Sequence, residues 1–92
     1  MPLSLTEINK NIEKLKDWNL EENMSVLMKE FSFQDFKAAM AFVNKIAALA
    51  EEQDHHPDML ISYTKVRLSL TTHSERGLTA KDFALAEAID AL

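Results

Sequence analysis

The sequence predicts an α+β fold, a two-layer sandwich in which three helices cover one face of a four-stranded antiparallel sheet. Three observations predict it. Hydrophobic periodicity changes along the chain in the order helix, strand, strand, helix, strand, strand, helix. The two strands of each pair are joined by short links, which make neighbours antiparallel. The last strand alternates so cleanly that only one of its faces is apolar.

Ser4-Leu5-Thr6-Glu7 reads as a capping box, with Ile8, Ile12 and Leu15 following at helical spacing, so a first helix is expected to end near Asp17. From Trp18 to Phe33 the helical period is lost and polar residues interrupt an alternation through Leu27, Phe31 and Phe33. Two short strands are expected there, with a turn around Glu22-Asn23. Ser32-Phe33-Gln34-Asp35 opens the longest periodic stretch, where Phe36, Met40, Val43, Ala47 and Ala50 recur every three or four residues. This predicts a central helix from about Gln34 to Gln53, whose alanines raise helix propensity and allow close approach to a sheet. Pro57 bars its continuation. Met59 to Tyr63 and Val66 to Thr72 form a hairpin about Thr64-Lys65, the second strand placing Val66, Leu68 and Leu70 on one face and Arg67, Ser69, Thr71 and His73 on the other. Ser74 to Gly77 is a turn, and Thr79-Ala80-Lys81-Asp82 caps a last helix carrying Phe83, Leu85, Ala86, Ile89 and Leu92. The polar face of the sheet is left open, either to water, to a site or to another subunit.

At 92 residues, positions 1–92 are expected to form a single domain. A composition 47% hydrophobic and 27% charged is that of a folded chain. The one glycine, Gly77, cannot supply a phosphate-cradling loop, and the absence of cysteine excludes a thiolate nucleophile, cysteine-ligated zinc and disulfides. A net charge of −5 disfavours nucleic acid as a partner, because phosphate binding needs clustered positive charge. The longest apolar run, Ala38 to Val43, is far too short to span a bilayer, and no signal-peptide pattern opens the chain. No membrane association is expected, and the cytoplasm is the expected location.

What remains for chemistry is centred on histidine. All three histidines fall between residues 55 and 73, two of them adjacent in Asp54-His55-His56-Pro57 at the exit of the central helix. Imidazoles ordinarily titrate near neutrality, so rings converging with Asp54 or Glu51 can exchange protons under physiological conditions. The plainer reading leaves His55 and His56 as exposed turn residues, His73 as a strand end, Trp18 as core and Asp82 as a helix cap. A three-histidine metal site is a further alternative, although adjacent residues tend to point apart.

The ordered set Glu51-Glu52-Gln53-Asp54-His55-His56-Pro57-Asp58, Tyr63-Thr64-Lys65-Val66, Leu70-Thr71-Thr72-His73 and Gly77-Leu78-Thr79-Ala80-Lys81-Asp82 resembles the signature of the pterin-4a-carbinolamine dehydratases. Trp18 and Phe31-Ser32-Phe33-Gln34-Asp35-Phe36 extend the likeness to nearly the whole chain. The resemblance implies dehydration of 4a-hydroxytetrahydropterin to quinonoid dihydropterin, with a small pterin as substrate and no metal or organic cofactor. It implies His55 and His73 as the acid/base pair, His56 as the histidine that orients the hydroxyl, and Glu51, Asp54, Trp18 and Asp82 as supporting residues. It also implies the fold derived above, assembled as a homodimer or homotetramer through sheets and helices. Met59 and the Ser74-Glu75-Arg76 loop depart from common versions of the pattern. Two other functions stay open: a module that binds a regulatory protein, and a three-histidine metal-dependent hydrolase.

Overall fold

The computed structural model describes residues 1–92. Its elements run α1 (Leu5–Ile12), β1 (Asn19–Glu21), β2 (Val26–Ser32), α2 (Phe36–Gln53), β3 (Asp58–Ser62), β4 (Lys65–Leu70), a 3-10 turn (His73–Glu75) and α3 (Ala80–Asp90). This is the expected order. The strands form one antiparallel sheet, β1-β2-β4-β3, because α2 carries the chain from β2 to the far edge and the hairpin returns β4 to the gap. Leu27 faces Leu70 and Phe31 faces Val66 across the central pair, so the apolar alternations of the two strands fall on the same side. Val66, Leu68 and Leu70 are fully buried there, packed with Ile46 of α2, Leu85 and Ile89 of α3 and Ile8 of α1. Ala39 and Ala50 are the buried small residues of α2. No helix is long and apolar enough to cross a membrane.

Both expected capping boxes form, Ser4 with Glu7 and Thr79 with Asp82. β3 begins one residue early, at Asp58, and α3 ends at Asp90, short of Leu92. Four further boundaries differ from expectation, each for a local reason. α1 stops at Ile12 rather than near Asp17, because the chain tightens there, Lys14 N–H reaching only to the Asn11 carbonyl and Leu15 N–H to the Ile12 carbonyl, each at 3.1 Å, yet Leu15 still packs on the core from the connecting turn. α2 starts at Phe36 rather than Gln34, because Asp35 is the cap, its carboxylate accepting from the Ala38 N–H at 2.8 Å. The hairpin turns at Tyr63-Thr64 rather than Thr64-Lys65, Tyr63 adopting φ 52°. β4 ends at Leu70, since the last pairs on its two sides are Leu27 with Leu70 and Asp58 with Ser69. His73 therefore leaves the sheet and opens the 3-10 turn instead of continuing the polar strand face.

That turn is anchored from below by the first residues of the chain. Leu3 N–H donates to the Leu78 carbonyl at 2.8 Å, and the Met1 ammonium pairs with Glu75. A Cβ at Gly77 would lie 3.0 Å from Pro2 Cβ, so glycine is what lets the two segments meet while Gly77 also bridges Thr72. The hydrogen bond from the Met1 ammonium, together with its charge, holds the Glu75 carboxyl below the usual carboxylate range. A carboxyl lowered in the folded state contributes stability above its unfolded range and loses it as pH falls through the folded value. Carbon-detected NMR should accordingly place the Glu75 midpoint below that of an unstructured glutamate and move it back as salt is added. A midpoint at the ordinary value, insensitive to salt, would show that the tether does not form.

Candidate active site

The site begins where α2 ends. Asp54 takes a left-handed conformation, φ 51° and ψ 43°, and its N–H closes onto the last turn while His55 N–H reaches back to the Ala50 carbonyl at 3.0 Å. This is the closure that glycine usually supplies, and aspartate tolerates it. The reversal sends the two adjacent rings in opposite directions. His55 turns inward, its Nε2 lying 2.6 Å from Asp82 Oδ1, with side-chain exposures of 10% and 0%. His56 turns outward, its Nε2 lying 2.6 Å from Glu51 Oε2, and both partners are exposed.

Asp82 reaches this position because it is the third residue of α3. Its Oδ2 accepts the Thr79 N–H at 2.9 Å as part of the capping box, and the Thr72 hydroxyl at 2.8 Å. The carboxylate is thus buried with donors on both oxygens, the condition under which such a group is tolerated in a protein interior. A carboxylate has only lone pairs to offer, so the Nε2 of His55 must carry the proton in their hydrogen bond. Its Nδ1 has no protein partner, yet no buried side-chain nitrogen or oxygen lacks one. Nδ1 must therefore reach the surface.

The surface it reaches is a cleft of about 300 Å³ walled by His55, His56 and His73 together with Asp54, Thr72 and Lys81. Every side chain lining it is polar or charged. The fold thus gathers the three histidines and Asp54 in one place, with Asp82 behind His55 and Glu51 behind His56. Trp18 is elsewhere. It is buried in the core, edge-on to Phe31, and its Nε1–H donates to Asp90 Oδ2 at 2.9 Å. Asp90 ends α3 while Asp82 begins it, so Trp18 stands about 12 Å along that helix from the histidines of the same chain. A second cleft of about 290 Å³, on the open sheet face, has Lys65 and Arg67 beside Glu30 and no histidine.

The sequence reading passed over Thr72 and Lys81 as members of the site. Thr72 had a visible signal. It shares the parity of Val66, Leu68 and Leu70, so it continues the buried face, where a hydroxyl requires a partner. Lys81 carried none beyond its place beside Asp82. No group of three or more His, Asp or Glu side chains is arranged to hold a metal ion. The geometry explains this: the Nε2 atoms of His55 and His56 are turned away from each other toward separate carboxylates.

Residues 1–92 match the family model described as pterin 4 alpha carbinolamine dehydratase. The chain belongs to this family. A relative from Chloroflexus aggregans, named provisionally after the same dehydratase, is 50% identical over 88 residues, covering 96% of this chain and 93% of its own. One from Sulfolobus acidocaldarius with the same provisional name is 43% identical over 90 residues, covering 98% and 97%. Among solved structures, a transcriptional coactivator/pterin dehydratase from Brucella melitensis superimposes with a TM-score of 0.93 at 33% identity, over 99% of this chain and 97% of that one. A pterin dehydratase-like protein identified as a RuBisCO assembly factor in the alpha-carboxysome gives a TM-score of 0.71 at 27% identity, over 83% and 88%.

Proposed function

We propose that the chain removes water from 4a-hydroxytetrahydropterin to give quinonoid dihydropterin, acting as a hydro-lyase in tetrahydropterin recycling. The observation that supports this reading is the meeting of His55, His56 and His73 on one cleft, with His55 held by a fully buried carboxylate. In a 4a-carbinolamine the N5 lone pair can expel the oxygen on C4a, so a C4a=N5 bond forms as the C4a–O bond breaks. One proton must reach the departing oxygen and one must leave N5. Water departs and no electrons are exchanged, so neither a redox cofactor nor a metal is required by the balance.

The roles follow from the proton inventory. His55, with its Nε2 proton directed at Asp82, presents Nδ1 as the base that takes the N5 proton. His73 delivers a proton to the leaving hydroxyl, and His56, steadied by Glu51, orients that hydroxyl. Asp54 holds the turn on which both rings depend. The location proposed is the cytoplasm, whose reducing conditions a chain without cysteine fits but does not require. The test is the rate of dehydration of authentic 4a-hydroxytetrahydropterin, with and without a chelator. Turnover above the uncatalysed rate and insensitive to chelation is expected; no acceleration, or loss on chelation, would overturn the proposal. A role in binding a regulatory protein draws support from the coactivator and assembly-factor descriptions of the two structural neighbours. A stoichiometric partner combined with absent pterin turnover would favour that role instead.

We also propose that the chain self-associates through the edge strand β3. The opposite edge, β1, is three residues long and carries exposed Asn19 and Glu21, features that discourage pairing. On β3 and its turn, by contrast, Leu60 is 57% exposed, Ile61 37% and Tyr63 71%. Pairing with a second copy would continue the sheet and set its side chains beside Leu60 on one face and Ile61 on the other. Sedimentation should give a mass of two or more chains, and Leu60→Lys should shift it toward one at the same concentration. A wild-type chain that sediments as a monomer would remove the proposal.

A further inference from the structure

The hydroxyl of Thr72 does more than satisfy a buried position. Thr72 continues the apolar parity of β4 and is nearly buried, so its Oγ1 needs partners within the protein. It has two. Its proton goes to Asp82 Oδ2 at 2.8 Å, and its oxygen lies 2.8 Å from Thr79 Oγ1. Since a hydroxyl has one proton, Thr79 must donate in that second contact. Thr79 in turn accepts the Lys81 N–H at 3.3 Å, and its own N–H is the second donor to Asp82 Oδ2. The bonds thus run in one direction, from Thr79 hydroxyl to Thr72 hydroxyl to the Asp82 carboxylate, which is met from the other side by His55 Nε2–H.

Pinning Oδ2 with two donors fixes the rotation of the carboxylate and leaves Oδ1 aimed at His55. The other charged or titratable groups lining the cleft with His55 are Asp54, His56, His73 and Lys81, and none is hydrogen-bonded to its ring. Asp82 alone therefore sets which ring nitrogen carries the proton. Thr72 is also the base of the loop that holds His73, its N–H donating to the Gly77 carbonyl at 3.1 Å and its carbonyl accepting from Glu75 N–H at 3.0 Å.

We infer that Thr72 is a positioning residue for the reaction: through Asp82 it keeps His55 in the tautomer with Nε2 protonated and Nδ1 free toward the cleft, while its backbone seats the loop that brings His73 to the same cleft. The inference rests on the dehydratase reading of this cleft, and its role is orientation rather than contact with substrate.

The test combines Thr72→Val, which keeps shape and β-branching but removes the hydroxyl, with Thr72→Ser, which restores it. In the wild-type protein, ¹⁵N NMR of neutral His55 should show a single tautomer protonated at Nε2; a ring protonated at Nδ1 would overturn the inference outright, even if the valine variant failed to fold. In Thr72→Val the tautomer signature should become mixed and kcat should fall about tenfold or more, the scale of a lost hydrogen bond to a charged group, with KM within about twofold. Thr72→Ser should recover both. A valine variant with wild-type kcat and an unmixed tautomer would reject the role. If the wild-type protein failed to turn over the carbinolamine, the dehydratase reading would fall while the tautomer measurements still decided the effect of Thr72 on His55.

Discussion

Replacing Asp82 with alanine is expected to lower the free energy of unfolding by about 3–5 kcal/mol, the scale on which removing one partner of a buried polar pair acts. The side chain is fully buried, and its loss strands three donors at once: His55 Nε2–H, the Thr72 hydroxyl and the Thr79 N–H at the start of α3. Left unsatisfied, each costs about 1–3 kcal/mol before relaxation or water entry offsets part of it. For a domain of this size a loss of 3 kcal/mol corresponds to a fall in Tm on the order of 10–20 °C, readable by calorimetry and by the urea midpoint. Asp82→Asn should fall between wild type and alanine, because the isosteric amide retains one acceptor oxygen but faces another donor with its NH2. A loss under about 1 kcal/mol in the alanine variant would mean that solvent replaces the carboxylate and that the network is not closed as described.

The second large effect concerns turnover. With His55 and His73 both replaced by alanine, dehydration should fall by about 10³-fold or more, since a positioned acid or base each contributes about 10²–10⁴-fold. The two losses need not multiply, because groups that act in one proton cycle are not additive. His56→Ala should cost less than either single change, as its ring and its Glu51 partner are exposed and the part proposed for them is orientation alone. Circular dichroism must show the fold kept, and near-wild-type turnover in the double variant would end the acid/base assignment.

Most of the architecture was legible because it is written in short-range patterns. Two capping boxes, the alternation of Val66, Leu68 and Leu70, and the alanine-rich period of α2 each depend on neighbours only a few residues away. The end of α1 was not, since Ile8, Ile12 and Leu15 keep helical spacing although the backbone departs after Ile12. The end of β4 depended on where its two neighbours stop, which no local pattern in residues 65–73 records. The same division holds for the site. The histidine pair announced itself by its place before Pro57, but the inward and outward turns of its rings came from carboxylates five and twenty-seven residues away from their partners. Trp18 found its partner, Asp90, seventy-two residues on.

Because one carboxylate both starts the last helix and holds the ring proposed as the base, fraying of that helix and loss of the proposed chemistry would be a single event. Amide exchange in the first turn of α3 and the decline of turnover should therefore share one dependence on temperature and denaturant, well before the sheet itself opens. A lineage carrying this arrangement has little freedom to loosen that turn in exchange for adaptability, so new specificities would have to arise outside it, around Ser74.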